Sequence, residues 1–154
     1  MKSISDRLKV EEILNINQKL ARHDVPYTGS EDYPVRREKV ERLVKNVPAQ
    51  SPISVAAYYL KNLTLLQPFP DANHRTGLIA ARMYLERKGY RFDFTEDEAE
   101  QLRDQMLNLQ FKLYGTYEEL SEVVTTEPDN EIFRLCRDCI KKHAMRARPK
   151  TRPK

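Results

Sequence analysis

The stretch LLQPFPDANHRTG, residues 65–77, decides the fold because it joins two helical runs through a connector crowded with polar groups. Its two prolines fix their own backbone angles and restrict their neighbours, so the connector is stiff. Phe69 lies between these prolines and is expected to point inward and anchor the loop. Polar side chains gathered in so short a connector are typical of a segment that holds a ligand.

The second half of the connector leads directly into a helix that starts near Asn73. The first turn of a helix carries free backbone N–H groups and the positive end of the helix dipole. His74 and Arg75 add donors beside it, so the sequence predicts an anion site suited to phosphate. Asp71 next to such a site could hold a Mg²⁺ ion that bridges to the phosphate oxygens.

A plainer interpretation of the same residues stays open. Asp71 or Asn73 can serve only as the N-cap of the helix. Arg75 can pair with a surface acid, and a histidine such as His74 in a first helical turn is often simply solvated. Composition and spacing alone therefore predict an anion site at a helix start and nothing narrower.

Apolar residues recur at helical spacing on both sides of the connector, which predicts an all-α chain. Ser51 followed by Pro52, and the box TEDE at residues 95–98, are typical helix starts. Gly89 is the expected stop of the helix that follows the loop, and YRFDF, residues 90–94, is expected to be extended. Helices are predicted to begin near residues 6, 34, 51, 73, 95 and 116, with a seventh after residue 130.

Length and charge bound the class of protein. A chain of 154 residues is one ordinary domain, and no apolar run approaches the about 18–20 residues that a membrane span needs. The charged N-terminus lacks the core of a signal peptide, so a cytoplasmic setting is expected. Residues 141–154 carry seven Lys and Arg and no acid, whereas residues 1–140 hold 20 basic and 23 acidic residues. We therefore predict a single domain over 1–145 and a basic, disordered tail over 146–154, with nucleic-acid contact through the tail as the less favoured alternative.

The two cysteines allow two interpretations. Cys136 and Cys139 are spaced C-x-x-C, and His143 follows four residues later, so all three lie near one face of a helix. A closed zinc site needs four ligands, which disfavours a metal here. Reduced thiols fit the cytosol, and the favoured interpretation is that the cysteines fill an apolar stripe with Ile132, Leu135 and Ile140.

The segment QPFPDANHRTG, residues 67–77, resembles the signature of Fic/Doc (Fido) proteins, H-x-F-x-[DE]-[AG]-N-[GK]-R. The resemblance covers about residues 8–125 and implies a Fic/Doc-like bundle of about six to seven helices with the signature loop between two central helices. Members of this family transfer AMP from ATP onto a protein hydroxyl, and Doc-type members transfer the γ-phosphate. The matching positions are Phe69, Asp71, Ala72, Asn73 and Arg75.

The resemblance also implies a role for each matching residue. Asp71 would bind Mg²⁺, Asn73 and Arg75 would contact the phosphates together with backbone N–H groups, and Phe69 would be the structural anchor. Mg²⁺ and ATP are the implied cofactors. The implied partners are a nucleotide and a protein, either a substrate or an antitoxin-like partner.

The signature is degenerate at two positions and incomplete after it. Gln67 replaces the family histidine that takes a proton from the attacking hydroxyl, and an amide has no usable basic lone pair. Losing a positioned base typically costs ~10²–10⁴ in rate. His74 replaces Gly or Lys. The second arginine of the AMP-transferring branch is Leu78 here, and Arg82 lies about 10 Å further along the helix, which favours the Doc-like branch.

Three functional hypotheses follow from these residues. The favoured one is a Fic/Doc-like protein with a nucleotide- or phosphate-binding loop that is weak or inactive as an AMP- or phosphotransferase, because of Gln67. The second is an active, toxin-like transferase in which Gln67 orients the hydroxyl and His74 substitutes as base. The third is a non-enzymatic interaction protein that uses its basic tail.

Overall fold

The computed structural model describes residues 6–24, 35–69, 72–113 and 131–146, with the backbone alone for 21–24. The described chain is mostly helical, so the predicted all-α class is confirmed, with one small sheet added. No described helix is both long and apolar enough to cross a membrane. In chain order the elements are α1 Val10–Asp24, α2 Arg37–Lys45, α3 Pro52–Leu66, α4 Asn73–Arg87, β1 Tyr90–Phe92, α5 Glu96–Leu113, α6 Glu131–His143 and β2 Ala144–Arg146.

Helix α3 is the centre of the fold. The sequence predicts one buried face for it, but every residue from 55 to 66 is buried, including the polar Lys61 and Asn62. The prediction of a single apolar face was therefore incomplete, because α3 packs against both α4 and α6. A helix enclosed on all sides gives its C-terminal end, where the loop begins, a fixed position in the domain.

Helices α3 and α4 approach each other closely at Gly77. A Cβ atom built on Gly77 would lie 3.1 Å from the Leu60 carbonyl oxygen and 3.3 Å from the Leu60 Cα atom. Only glycine lets the two backbones come this near without displacing one of them. The start of α4 is thus held against the middle of α3, and the loop is confined to the end of that pair.

Several predicted helix ends are confirmed. The Ser51 Oγ accepts a hydrogen bond from the Ser54 N–H at 3.4 Å, with Pro52 in the first turn of α3. In the TEDE box the Thr95 N–H donates to Glu98 Oε1 at 2.8 Å and the Glu98 N–H donates to Thr95 Oγ1 at 3.1 Å. These reciprocal bonds fix the start of α5, which packs beside the loop helix.

The small sheet adds a strand pairing that the sequence does not predict. Strand β1 was expected as an extended piece, but its partner β2 was not, and Arg146 was assigned to the tail. The two strands pair antiparallel, and the Arg146 guanidinium lies 5.5 Å from the Tyr90 ring centroid. A strand of three residues directly after a helix has no local pattern, so only its distant partner defines it. The helix predicted from Thr116 and the rest of the predicted tail, residues 147–154, lie outside the described residues.

The cysteines lie in the interface of α5 and α6. Cys136 is fully buried with its Sγ 3.8 Å from the Met106 Sδ, and burial raises the pKa of its thiol. The His143 Nε2 lies 3.7 Å from a carboxylate oxygen of Glu98. Within the described residues, no group of three His, Cys, Asp or Glu side chains is arranged to hold a metal ion. The described contacts of Cys136 are those of a core residue.

Candidate functional site

The loop between α3 and α4 contains two residues in left-handed backbone conformation. Gln67 has φ 52° at the C-cap of α3, and Ala72 has φ 62° at the N-cap of α4. Within the described chain no other non-glycine residue has a positive φ. This conformation costs a residue with a Cβ about 1–2 kcal/mol, and such strain concentrates at functional sites.

Asn73 fixes the shape of the loop through its side chain. Its Oδ1 accepts from the Phe69 N–H at 3.0 Å, and its Nδ2 donates to the Phe69 carbonyl oxygen at 2.9 Å. Phe69 itself is 1% exposed and lies in the core. Because both backbone groups of Phe69 are engaged by one buried side chain, the segment that precedes α4 is held in a single geometry.

A second buried chain of hydrogen bonds holds Ala72. The Thr76 hydroxyl donates to the Ala72 carbonyl oxygen at 2.7 Å, and the Asn17 Nδ2 donates to the Thr76 Oγ1 at 3.1 Å. Asn17 and Thr76 are 1% and 0% exposed. Helix α1 therefore stabilises the strained residue at the start of α4 through these buried hydrogen bonds.

The end of α3 is held from the side of α2. The Arg36 N–H donates to the Pro68 carbonyl oxygen at 2.7 Å, and the Lys39 Nζ donates to the Leu66 carbonyl oxygen at 2.7 Å. An ammonium on the last turn of a helix also favours the negative end of its dipole. The Gln67 Nε2 donates to the Thr64 carbonyl oxygen at 3.3 Å, so this amide caps the helix it terminates.

His74 has both ring nitrogens engaged inside the protein. Its Nε2 lies 3.0 Å from the Ala99 carbonyl oxygen, which can only accept, so Nε2 carries the proton. Its Nδ1 then accepts from the Thr64 hydroxyl at 3.2 Å. Burial lowers the pKa of His74 to about 4, so the ring is neutral at pH 7. A general base needs a free lone pair at the reacting hydroxyl, and neither nitrogen offers one in this arrangement.

Arg75 is the signature side chain that is presented to solvent. It is 53% exposed, and its Nη2 lies 3.5 Å from Glu96 Oε1 at the start of α5. Arg82, which the sequence places too far along the helix for a phosphate at its start, donates from Nε to the Phe92 carbonyl oxygen at 3.0 Å. Both arginines line one cleft on the same side of α4.

The start of α4 has the features of an anion site. Within the described residues, Ala72 is an N-cap without a side-chain hydrogen bond to the helix. Its left-handed conformation followed by the helical Asn73 is the arrangement that turns successive backbone N–H groups toward one concave side. Those N–H groups and the helix dipole attract a negative charge, and Arg75 stands beside them. Asp71, the predicted Mg²⁺ ligand, lies outside the described residues.

The sequence patterns did not identify Asn17 and Thr76, whose buried hydrogen bonds hold the loop. Asn17 occupies an apolar position of α1, four residues after Ile13 and three before Leu20, and a polar residue on such a stripe indicates a buried partner. Thr76 gives a weaker signal, since a threonine in a first helical turn is common. The hydrogen bond between them joins residues 59 positions apart, so it cannot be predicted without the fold.

The described residues form an all-α domain with one small sheet, in which a short loop with a strained backbone joins two central helices. The chain matches the sequence model of the Fic/DOC family over residues 7–85, about half its length, and it belongs to that family. The matched region includes the loop and ends within α4, before β1, α5 and α6. Neither the curated proteins nor the solved structures contain a significant match to this chain.

Proposed function

We propose that this Fic/DOC protein binds a phosphate group of a nucleotide at the start of α4 and is weak or inactive as a conventional AMP- or phosphotransferase. The observation that carries the proposal is the strained, side-chain-uncapped start of α4 within the described residues, next to a base position taken by Gln67. The first feature is suited to binding, and the second removes the proton acceptor.

Binding is supported by the left-handed backbone at Ala72 and by the hydrogen bonds that maintain it. Holding Ala72 in left-handed conformation costs free energy, and buried bonds from Asn17 through Thr76 maintain it. The result is a set of backbone donors that need no rearrangement when an anion arrives. Arg75 adds a full positive charge and a planar donor group that matches phosphate oxygens.

Weak transfer is supported by the two residues that are the candidates for a general base, Gln67 and His74. Gln67 can orient a hydroxyl by hydrogen bonding, but its amide cannot accept the proton at neutral pH. His74 is neutral, half-buried and hydrogen-bonded at both nitrogens. A nucleotide would supply the phosphoryl or nucleotidyl group, while the chain's own residues bind and orient it.

The implied cofactors fit the described residues unequally. The backbone donors of α4 and the guanidinium of Arg75 suit the phosphates of ATP. Mg²⁺ needs oxygen ligands, and the expected one is the carboxylate of Asp71.

Calorimetry tests the binding half of the proposal. We expect ATP with Mg²⁺ to bind the full chain and Arg75→Gln to weaken binding about tenfold or more, since a charge-assisted pair is lost. Arg91→Gln is the matched control, because Arg91 is 74% exposed on β1 and pairs with Asp93. Equal affinities for ATP in the two variants, or no nucleotide binding by the unmodified chain, would overturn the proposal.

Label transfer tests the catalytic half. ATP labelled at the α- or γ-phosphate should label protein weakly or not at all with the unmodified chain. Gln67→His restores a base, and histidine tolerates the left-handed backbone, so we expect a gain of about 10²-fold or more. Gln67→Asn keeps an amide in the same backbone conformation and should give no gain. Strong transfer by the unmodified chain that is abolished by His74→Gln would support the active-enzyme hypothesis instead.

A further inference from the structure

A cleft on one side of α4 combines two cationic groups with an apolar floor. Its volume is about 240 Å³, and it lies between α4, the end of α1 and the start of α5. The lining side chains are Leu20, Arg75, Leu78, Ile79, Arg82, Phe94, Glu96 and Ala99. Phe94, Glu96 and Ala99 come from the part of the chain beyond residues 7–85, so this wall is not part of the matched family region.

Arg82 lies at one end of the cleft, where one hydrogen bond and one aromatic ring hold its guanidinium and its two terminal nitrogens remain as donors. Its Nε donates to the Phe92 carbonyl oxygen at 3.0 Å, and its Cζ lies 4.8 Å from the Phe94 ring centroid. Among the described residues, no carboxylate pairs with Arg82 and no hydrogen bond engages its two terminal nitrogens. A half-buried guanidinium oriented by stacking and one backbone bond is prepared to bind an anion.

The other end of the cleft is closed by an exchangeable ion pair. Arg75 Nη2 and Glu96 Oε1 lie 3.5 Å apart, and their side chains are 53% and 79% exposed. Exposed pairs of this kind contribute little to stability, so Glu96 can move away from Arg75 at small cost when the cleft is filled. The described charged groups of the cleft are two arginines and one glutamate, which leaves it net positive.

We propose that this cleft binds a small organic anion in which a carboxylate or phosphate group is joined to a short apolar body. Arg82 receives the charged group, and the side chains of Leu78, Ile79 and Phe94 cover the apolar body. The volume is below the about 300–1,000 Å³ typical of drug-sized ligands, so the ligand has on the order of ten non-hydrogen atoms. This site shares Arg75 with the proposed nucleotide site and goes beyond it toward Arg82 and the apolar side chains of the cleft.

Phenylpropanoate is a suitable probe because it carries one carboxylate on a short aromatic body. Titrated into the full chain and followed by amide NMR shifts, it should perturb residues 78–82 and 94–99 more than the loop at 72–74. Phenylpropanamide, which lacks the charge, and acetate, which lacks the apolar body, should each bind about tenfold more weakly or worse. Shifts confined to the loop, or equal affinity for phenylpropanoate and phenylpropanamide, would overturn the proposal.

Two variants locate the binding. Arg82→Gln should weaken phenylpropanoate binding about tenfold, whereas Arg91→Gln, which changes an exposed arginine outside the cleft, should leave it unchanged within twofold. Glu96→Gln removes the competing carboxylate from an exposed position and should strengthen binding about two- to fivefold. The Glu96 variant remains decisive if Arg82→Gln fails to fold. Unchanged or weaker binding by Glu96→Gln, or equal affinity of folded Arg82→Gln and Arg91→Gln, would contradict the assignment.

Discussion

The first turn of α4 has an inner side and an outer side that use polar residues in opposite ways. On the inner side, Asn73, His74 and Thr76 direct their side-chain polar atoms to hydrogen bonds within the protein. On the outer side, Arg75 is half exposed, and its Nη2 lies 3.5 Å from Glu96 Oε1. Neighbouring residues of one motif are thus divided between shaping the loop and facing solvent, where the proposed ligand would bind.

This difference teaches that a polar residue in a binding motif need not touch the ligand. The inner side maintains a strained backbone whose N–H groups are the proposed donors, and a buried bond lost there leaves its partner unsatisfied. The outer side contributes charge, which solvent screens when no ligand is present. Substitutions on the inner side should therefore change the free energy of unfolding, and substitutions on the outer side should change binding.

The largest expected effect is at Asn73. Asn73→Ala removes both hydrogen bonds to the Phe69 backbone and leaves a buried N–H and a buried carbonyl without partners. We expect a loss of about 2–4 kcal/mol in the free energy of unfolding, measured by urea denaturation. Asn46→Ala is the control, because the Asn46 side chain makes one exposed bond to the Arg42 carbonyl oxygen. Equal losses in the two variants would show that the two hydrogen bonds between Asn73 and the Phe69 backbone do not stabilise the loop.

The next effect is a pH dependence caused by His74. Its pKa is about 4 in the folded protein and about 6.5 when unfolded, so between these values the unfolded chain binds more protons. Stability from this group is fully present above pH 6.5 and is lost as the pH falls toward 4, by up to about 3 kcal/mol. Unfolding measured from pH 7 to 4.5 should show this loss in the unmodified chain and not in His74→Gln.

His143→Gln is the matched control for that titration. His143 lies at the end of α6, and its Nε2 is 3.7 Å from a carboxylate oxygen of Glu98. Its replacement should leave the acid-dependent loss of stability in place. If His143→Gln instead abolishes the loss and His74→Gln retains it, the inner side of α4 is not the origin of the pH dependence.

A smaller effect is expected at Thr76. Thr76→Val keeps the shape of the side chain but removes the hydroxyl that joins Asn17 to the Ala72 carbonyl oxygen. The expected cost is about 1–2 kcal/mol in the free energy of unfolding, because the buried Asn17 amide loses a partner. Thr76→Ser keeps the hydroxyl and should retain most of that stability. If Thr76→Val is as stable as Thr76→Ser or more stable, the hydroxyl bond to Asn17 does not stabilise this part of the fold.

The parts of this molecule that were predictable from sequence are those governed by local rules. The Ser51 cap, the Thr95–Glu98 box and the stop at Gly89 each depend on a few adjacent residues, and the structure has all three. Strand β2 was not predictable, since its pairing with β1 joins residues far apart in the chain. The all-round burial of α3 was missed for the same reason, because it depends on two partner helices.

The candidate site divides in the same way. The spacing of prolines, glycine and polar residues alone predicts a loop from residue 67 that leads into a helix start with free backbone N–H donors. That His74 is turned inward depends on Thr64 and on Ala99, which lies on a different helix. The shared cleft of Arg75 and Arg82 also depends on α5. The directions in which these side chains point could therefore not be predicted from the sequence.

The smallest effect on stability is expected at Arg75, and it tests the division between the two sides most directly. Arg75→Gln removes an exposed ion pair with Glu96, so the free energy of unfolding should change by about 0.5 kcal/mol or less. The same variant should lose ATP binding by about tenfold, as proposed above. Asn73→Ala, by contrast, should lose stability first. An Arg75→Gln variant that unfolds as easily as Asn73→Ala would show that Arg75 belongs to the framework of the loop, and the separation of shaping from binding would fail.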